Sequence, residues 1–165
     1  KRKKPMIGVM SDSHDNVTMI RKAVSVFKDA GCGLVIHAGD FIAPFAAREL
    51  EALSCPVKAV FGNCDGEKLG LEKTCEAFGE IKEAPFVFSH AGKQILVCHY
   101  HFSVKSYLHT GKYDIVIFGH THKPELKKEG KTLVLNPGEA GGWLTGKCTV
   151  ALLDIEKLEA EIVSL

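Results

Sequence analysis

Two histidines flank a threonine in Gly119-His120-Thr121-His122, directly after the apolar run Ile115-Val116-Ile117-Phe118. Asp12-Ser13-His14 follows a second apolar run that starts at Met6 and ends at Met10. Gly39-Asp40 follows Leu34-Val35-Ile36, Gly62-Asn63-Cys64-Asp65 follows Ala59-Val60-Phe61, and His99 closes the stretch that starts at Gln94. Seven side chains of metal-binding type, Asp12, His14, Asp40, Asn63, His99, His120 and His122, therefore recur just past the ends of apolar runs. Carboxylate, imidazole and amide groups suit hard-to-borderline divalent metals. Seven ligands are too many for one ordinary zinc site and suit two ions sharing a carboxylate. Two such ions about 3.5–4 Å apart can clamp a phosphoryl group and hold an activated water between them. Calcium, which wants oxygen ligands only, is not the preferred ion, whereas Mn²⁺, Fe²⁺, Co²⁺, Ni²⁺ and Zn²⁺ all fit the donor set.

These residues have to be brought to one place, and the chain between them supplies the means. Residues 6–11 read as a buried strand, and Asn16 caps a helix to about residue 30 with Val17, Ile20, Val24 and Phe27 on one face. Gly31 and Gly33 end it. Leu34–Ala38 is a second buried strand, Pro44 opens a helix to about Leu53, and Val57–Phe61 is a third strand with a helix over roughly 67–78 behind it. Beyond residue 80 the texture changes. Phe86–Ser89 and Gln94–His99 flank Ala91-Gly92-Lys93 as a hairpin, a short helix covers 102–110, and Ile115–Phe118 is another buried strand. Glu125–Lys128, Thr132–Leu135, Cys148–Asp154 and Leu158–Val163 read as short, mostly antiparallel strands. A first half of β-α-β-α-β and a second half mainly of strands predicts two stacked sheets with helices outside. Loops at the carboxyl ends of such strands converge on one sheet edge.

The chain has 165 residues, which suits one domain spanning 1–165. Its apolar fraction of 45%, charged fraction of 25% and net charge of +1 describe an ordinary globular protein with no general nucleic-acid or membrane surface. The basic opening Lys1-Arg2-Lys3-Lys4 reads as a solvated terminus. No apolar run is long enough for a membrane span, and Asp12 to Asp15 interrupt any signal-peptide core, so the expected compartment is the cytoplasm. Six cysteines without a C-x-x-C pair read as reduced, mostly buried thiols.

The series D-x-H, G-D, G-N-x-D, a lone histidine and then G-H-T-H resembles the calcineurin-like metallophosphoesterase superfamily. The ending Asn136-Pro137-Gly138 is similar to its compact single-domain phosphodiesterase subgroup. The resemblance implies an α/β (α+β) fold: a four-layer α-β-β-α sandwich of two mixed sheets with helices on the outer faces. It also implies one metal held by Asp12, His14, Asp40 and His122 and a second held by Asp40, Asn63, His99 and His120. The activity implied is metal-dependent hydrolysis of a small phosphodiester by a hydroxide bridging the metals, without a covalent enzyme intermediate. Two positions depart from the family pattern. Cys64 stands where the usual motif has a histidine that contacts substrate and protonates the leaving group, and Tyr100 stands where relatives have glycine.

Several residues carry two readings. Asp40 is either a ligand or a cap for the helix at Pro44, and Asn63 is either a ligand or a left-handed turn residue. Asp65 reads as a group orienting a ligand or the substrate side. Cys64 reads as a small packed thiol without a base. His101, two residues past His99, lies on the same side in an extended segment and is a candidate contact to phosphate or a substitute acid; otherwise it is a partly exposed histidine. Asn63, Asp65 and His101 are thus the catalytic candidates beside the seven ligands. His37 reads as a satisfied core histidine, Phe41 and Phe45 as packing residues, and the glycines around Trp143 as a tight loop near the site. A phosphomonoesterase or nuclease with the same centre, and a non-catalytic scaffold of the kind the retromer subunit of this fold provides, are the competing functions. Balanced charge disfavours nucleic acid, an intact ligand set disfavours the scaffold, and homo-oligomerisation is left open.

Overall fold

The computed structural model describes residues 5–165, so the basic segment 1–4 lies outside the described residues. One mixed sheet has the order β11-β10-β1-β2-β3-β4, from β1 (Met6–Met10), β2 (Leu34–His37), β3 (Val57–Val60), β4 (Gly79–Lys82), β10 (Thr149–Asp154) and β11 (Glu159–Ser164). The other has the order β5-β6-β7-β9-β8, from β5 (Phe86–His90), β6 (Lys93–Val97), β7 (Ile115–Ile117), β8 (Pro124–Glu129) and β9 (Thr132–Pro137). The helices are α1 (Val17–Asp29), α2 (Pro44–Ala47), α3 (Lys68–Cys75) and α4 (Val104–His109).

Three apolar cores separate four layers. Period-2 alternation in β1 sends Ile7 and Val9 to the core between the sheets and Met10 to the core under the helices. That helix-side core takes Ile20, Ala23, Val24 and Phe27 of α1, whose spacing forms one helical stripe. Phe27 lies so close to β1 that a Cβ on Gly8 would stand 2.4 Å from its ring, which is why glycine occupies that strand position. The third core, around Leu96, Val116, Phe118 and Val134, is covered by Val104, Tyr107 and Leu108 of the α4 segment. The α-β-β-α sandwich expected from the sequence is the observed one.

Four local features go beyond the sequence reading or alter it. The strand β4 carries one buried residue, Ile81, and so has no apolar pattern to reveal it, yet it pairs in parallel with β3. The helix opened by Pro44 stops at Ala47 and continues as a 3-10 turn, Arg48–Ala52. A 3-10 turn, His101–Ser103, likewise precedes α4. The C-terminal hairpin β10-β11 joins the first sheet, where β10 pairs antiparallel with β1. Parallel pairing of β1 with β2 and of β2 with β3, and of β6 with β7 and β7 with β9, points the carboxyl ends of these strands the same way within each sheet. The loops that follow them carry Asp12, Asp40, Asn63, His99 and His120, and hydrogen bonds such as His120 N to Asp12 Oδ2 at 3.1 Å join the two sheets at that edge.

Candidate metal centre

Five of the seven ligand-type residues hold left-handed backbone: Asp12 (φ 52°), His14 (40°), Asp40 (65°), His120 (69°) and His122 (63°). Such conformations cost non-glycine residues about 1–3 kcal/mol each and persist where the surroundings over-determine them. The surroundings here are hydrogen bonds between loops: Asp12 N donates to Gly39 O at 2.9 Å, and His14 N to Asp40 O at 3.1 Å. Close approach dictates two glycines as well. A Cβ on Gly62 would lie 2.1 Å from Asp40 Oδ1, and one on Gly119 would lie 2.1 Å from Ser11 Oγ.

Each carboxylate has one oxygen tied down and one left facing histidines. Asp12 Oδ2 accepts from Ser11 Oγ at 2.6 Å and from His120 N. Asp12 Oδ1 has no hydrogen-bond partner although it is buried, and it faces His122 Nε2 at 3.4 Å and His14 Nε2 at 3.7 Å. Asp40 Oδ1 accepts from Cys64 N at 2.8 Å. Its Oδ2 lies 3.4 Å from His14 Nε2 and 3.3 Å from His99 Nε2, between two sets of donors. On the far side, Asn63 Oδ1 lies 2.9 Å from His99 Nε2 and 3.1 Å from His120 Nδ1.

The imidazole tautomers sharpen the picture. His99 Nδ1 donates to Ala38 O at 2.8 Å, and His122 Nδ1 donates to Glu139 Oε2, so the neutral rings carry lone pairs on the Nε2 atoms that face the oxygens. With those rings neutral, lone pairs of oxygen and nitrogen converge on one space. Such a cluster requires positive charge, and the titration directions agree. The Asp12 carboxylate beside it raises the pKa of His14 against burial. Burial opposes the charge on His99, but Asp40 outweighs it and raises that pKa too. Burial pushes Asp40 up, and His99 together with the Cys64 amide more than offsets it, to about 2. His14 Nε2 is itself buried and without a hydrogen-bond partner. Ligand atoms of Asp12, His14 and His122, and of Asp12, Asp40 and His99, lie within 4.8 Å of one another. The residues fit a divalent metal centre on the donor chemistry and on two orphaned buried atoms.

A model of the calcineurin-like phosphoesterase superfamily domain matches residues 6–158. The chain belongs to this superfamily. It is 38% identical over 164 residues to Phosphodiesterase MJ0936 of Methanocaldococcus jannaschii, covering 93% of this chain and 95% of that protein. It is 33% identical over 168 residues to a probable metallophosphoesterase of Methanothermobacter thermautotrophicus, covering 96% and 91%. A solved structure described as a novel archaeal phosphodiesterase superposes with a TM-score of 0.92 at 37% identity, covering 97% of this chain and 99% of that one.

Against the superfamily pattern, the remaining candidates sort by geometry. Asp40 does not cap α2; Ala43 N is held by Asp15 Oδ1 at 2.9 Å instead, which frees the Asp40 oxygens for the centre. Asp65, a catalytic candidate read as an orienting group, has its oxygens taken up by the amides of Gly62, Asp40 and Ile42 at 2.7–2.9 Å, so it ties the two ligand loops together. His101 sits in the 3-10 turn and not in an extended segment, yet it is exposed beside the centre, its ring stacked on His120 at 5.8 Å and 7°. Cys64 is exposed and not packed, and burial of its sulfur together with the Asp40 charge raises its pKa, which argues against a thiolate nucleophile. Its sulfur, His14 and Asp40 form a third cluster of possible ligand atoms. Tyr100 leans on His99 and His120 edge-on and stacks on Phe102 at 4.7 Å. His37 is a core histidine: Nδ1 accepts from Gly39 N, Nε2 bonds Ser13 Oγ, and burial lowers its pKa to about 3. Phe41 packs on it at 3.5 Å, whereas Phe45 is 60% exposed and does not pack as expected.

One functional residue escaped the sequence reading. Glu139 is fully buried, holds His122, and also accepts from Leu144 N and from Thr145 N and Oγ1. A carboxylate behind a ligand histidine fixes its tautomer and orientation. Only its place directly after Asn136-Pro137-Gly138 could have flagged it. Asn136 also works from behind, donating to Gly119 O at 3.1 Å and Thr121 Oγ1 at 3.0 Å.

Proposed function

We propose that this chain is a metal-dependent phosphodiesterase whose centre takes two divalent cations. Asp12, His14, Asp40 and His122 would hold one, and Asp40, Asn63, His99 and His120 the other, with Asp40 common to both. The observation that carries this reading is Asp40 Oδ2, which stands at 3.3–3.4 Å from histidine nitrogens on two sides while its partner oxygen is tied to a backbone amide. Bound cations supply Lewis acidity toward a phosphoryl oxygen and lower the pKa of water to near neutrality. Nitrogen and oxygen donors suit Mn²⁺, Fe²⁺, Co²⁺, Ni²⁺ or Zn²⁺.

The protein's own part is orientation and charge. The carbonyl of Ala38 and the carboxylate of Glu139 hold the rings of His99 and His122 so that Nε2 faces inward. Asp65 and Ser11 hold the loops and Asp12 in place. Asn63 divides its amide: Oδ1 faces the histidines, and Nδ2 turns to Cys64 on the open side, where it can donate to a phosphoryl oxygen. His101, exposed and stacked on His120, would be the candidate donor to the same group. The substrate is a small phosphodiester, and the described residues 5–165 form one domain. No helix among the described residues is long and apolar enough to cross a membrane. The working compartment in this reading is the cytoplasm, where thiols stay reduced.

The test is hydrolysis of an aryl phosphodiester by protein purified without chelator. Activity should vanish with excess chelator and return with Mn²⁺ or Ni²⁺. Hydrolysis indifferent to chelator would overturn the assignment.

A further inference from the structure

The centre opens on two cavities that meet at Asn63. One, of about 360 Å³, lies over the ligands and ends against Trp143 and Leu144. The other, of about 330 Å³, lies on the opposite side of Asn63, with His99 at its inner end. Ligands alone do not explain the second cavity. Its wall includes the aromatic rings of Phe61, Tyr100 and Tyr107 and the polar side chains of Lys68, Glu83 and Ser103.

We propose that this second cavity is a subsite for one ester arm of the substrate, and that the arm is an uncharged, polar ring system. The proposal rests on the phosphodiesterase reading and adds the substrate class. A phosphodiester carries two substituents, and a phosphate seated beside Asn63 would direct one into each cavity. At about 330 Å³ the cavity falls at the small end of ligand sites, which run from about 300 to 1,000 Å³. It has room for one ring system and not for a chain of them. Aromatic walls favour a flat ring, which stacks on Tyr and Phe faces. Its charge selects as well. Lys68 lies over the Phe61 ring at 5.2 Å and is paired with Glu83, and Asp65 adds a second carboxylate to the wall, so no unbalanced cation waits for another phosphate. A polyanionic continuation of the arm would meet carboxylates, so the arm is neutral and the substrate is a small diester and not a nucleic-acid strand. The polar groups of Ser103, Lys68 and Glu83 give the ring edge hydrogen-bond partners. Tyr100 builds part of this wall, which gives its side chain a role in the subsite.

Ser103 precedes α4 without any side-chain capping bond, so replacing it removes no bond from the helix. Ser103→Phe fills the cavity from the α4 side. Lys68→Trp, on the exposed rim, fills it from the other side and serves should the first variant fail to fold. The probes are bis(4-nitrophenyl) phosphate, whose two arms are identical rings, and adenosine as a neutral polar ring. The expected result is a KM for the diester about tenfold higher with kcat within about twofold, the pattern of lost uniform binding. Saturation-transfer NMR should show adenosine bound to the unmodified protein and lost in the filled variant. Unchanged KM with no adenosine signal in the unmodified protein would overturn the subsite while chelator-sensitive hydrolysis left the phosphodiesterase standing. Should the metal-loaded protein hydrolyse no diester at all, the phosphodiesterase reading fails, and adenosine binding that filling abolishes would still support the cavity as a ring site.

Discussion

Replacing Glu139 with glutamine should detach one histidine from the centre without touching a ligand. Glu139 Oε2 takes the proton of His122 Nδ1, while Oε1 accepts from Leu144 N, Thr145 N and Thr145 Oγ1. Glutamine has nearly the same volume. Its carbonyl oxygen can keep the donors of the Thr145 loop, which turns its amide nitrogen toward His122 Nδ1. Two donors cannot face each other, so the imidazole proton moves to Nε2, the atom 3.4 Å from Asp12 Oδ1. Nε2 then donates to Asp12 and no longer offers a lone pair. Loss of such an outer partner costs about 10–100-fold in metal affinity, or about 1.4–2.8 kcal/mol. Calorimetric titration of the apoprotein with Co²⁺ measures this directly, and thermal unfolding of the apoprotein is the control. Hydrogen bonds are exchanged and not lost, so the apoprotein Tm should move by only a few degrees. Glu139→Ala differs, because each buried donor left without a partner costs about 1–3 kcal/mol, and it should lower Tm as well. E139Q protein with unchanged affinity and an intact fold would refute the tautomer reasoning.

Asp40→Asn or His120→Ala should abolish diester hydrolysis while circular dichroism stays native, because both side chains sit on loops outside the cores; near-full activity at saturating metal would remove them from the centre. Cys64→His should flatten the dependence of rate on leaving-group pKa across a phosphodiester series, since a positioned acid is worth about 10²–10⁴-fold; a series already shallow in the unmodified protein points to His101, and His101→Ala should then steepen it. Apoprotein stability should peak near pH 6.5, the ordinary histidine value. Above that pH the raised pKa values of His14 and His99 mean that stabilising protons are lost as pH climbs through the folded values. Below it, His37, held to about 3, stays neutral while the unfolded chain binds a proton, which costs about 1.4 kcal/mol per pH unit. Urea unfolding from pH 4 to 9 checks this, and a flat profile would contradict it.

The candidate ligands were legible because each follows an apolar run, and an apolar run buried on both faces is a central strand whose carboxyl end must lie at the sheet edge. Strand β4 was hidden for the converse reason, with Ile81 as its one buried side chain. The turn at His101–Ser103 was hidden because a 3-10 segment of three residues has no periodicity to display. Glu139 escaped for a different reason: a buried acid among glycines looks like a loop residue until the histidine it holds, 17 positions earlier, is seen beside it. Asp65 was legible as an orienting group but its partners were not, because three amides from two separate loops meet at its carboxylate only in the folded chain. The family pattern supplied the pairing of ligands into two groups of four, and the partners of Asp12 and Asp40 supply the physical basis for it.

The sharing of Asp40 is the claim on which the rest depends, and anomalous diffraction from crystals grown with Mn²⁺, combined with metal analysis of the same protein, tests it most directly. Two ions per chain are expected, one on each side of Asp40 Oδ2, with Asn63→Ala losing the ion beside His99 and His120 and keeping the one beside His14 and His122. A single ion, with Asn63 and His99 coordinating nothing, would contradict the shared carboxylate.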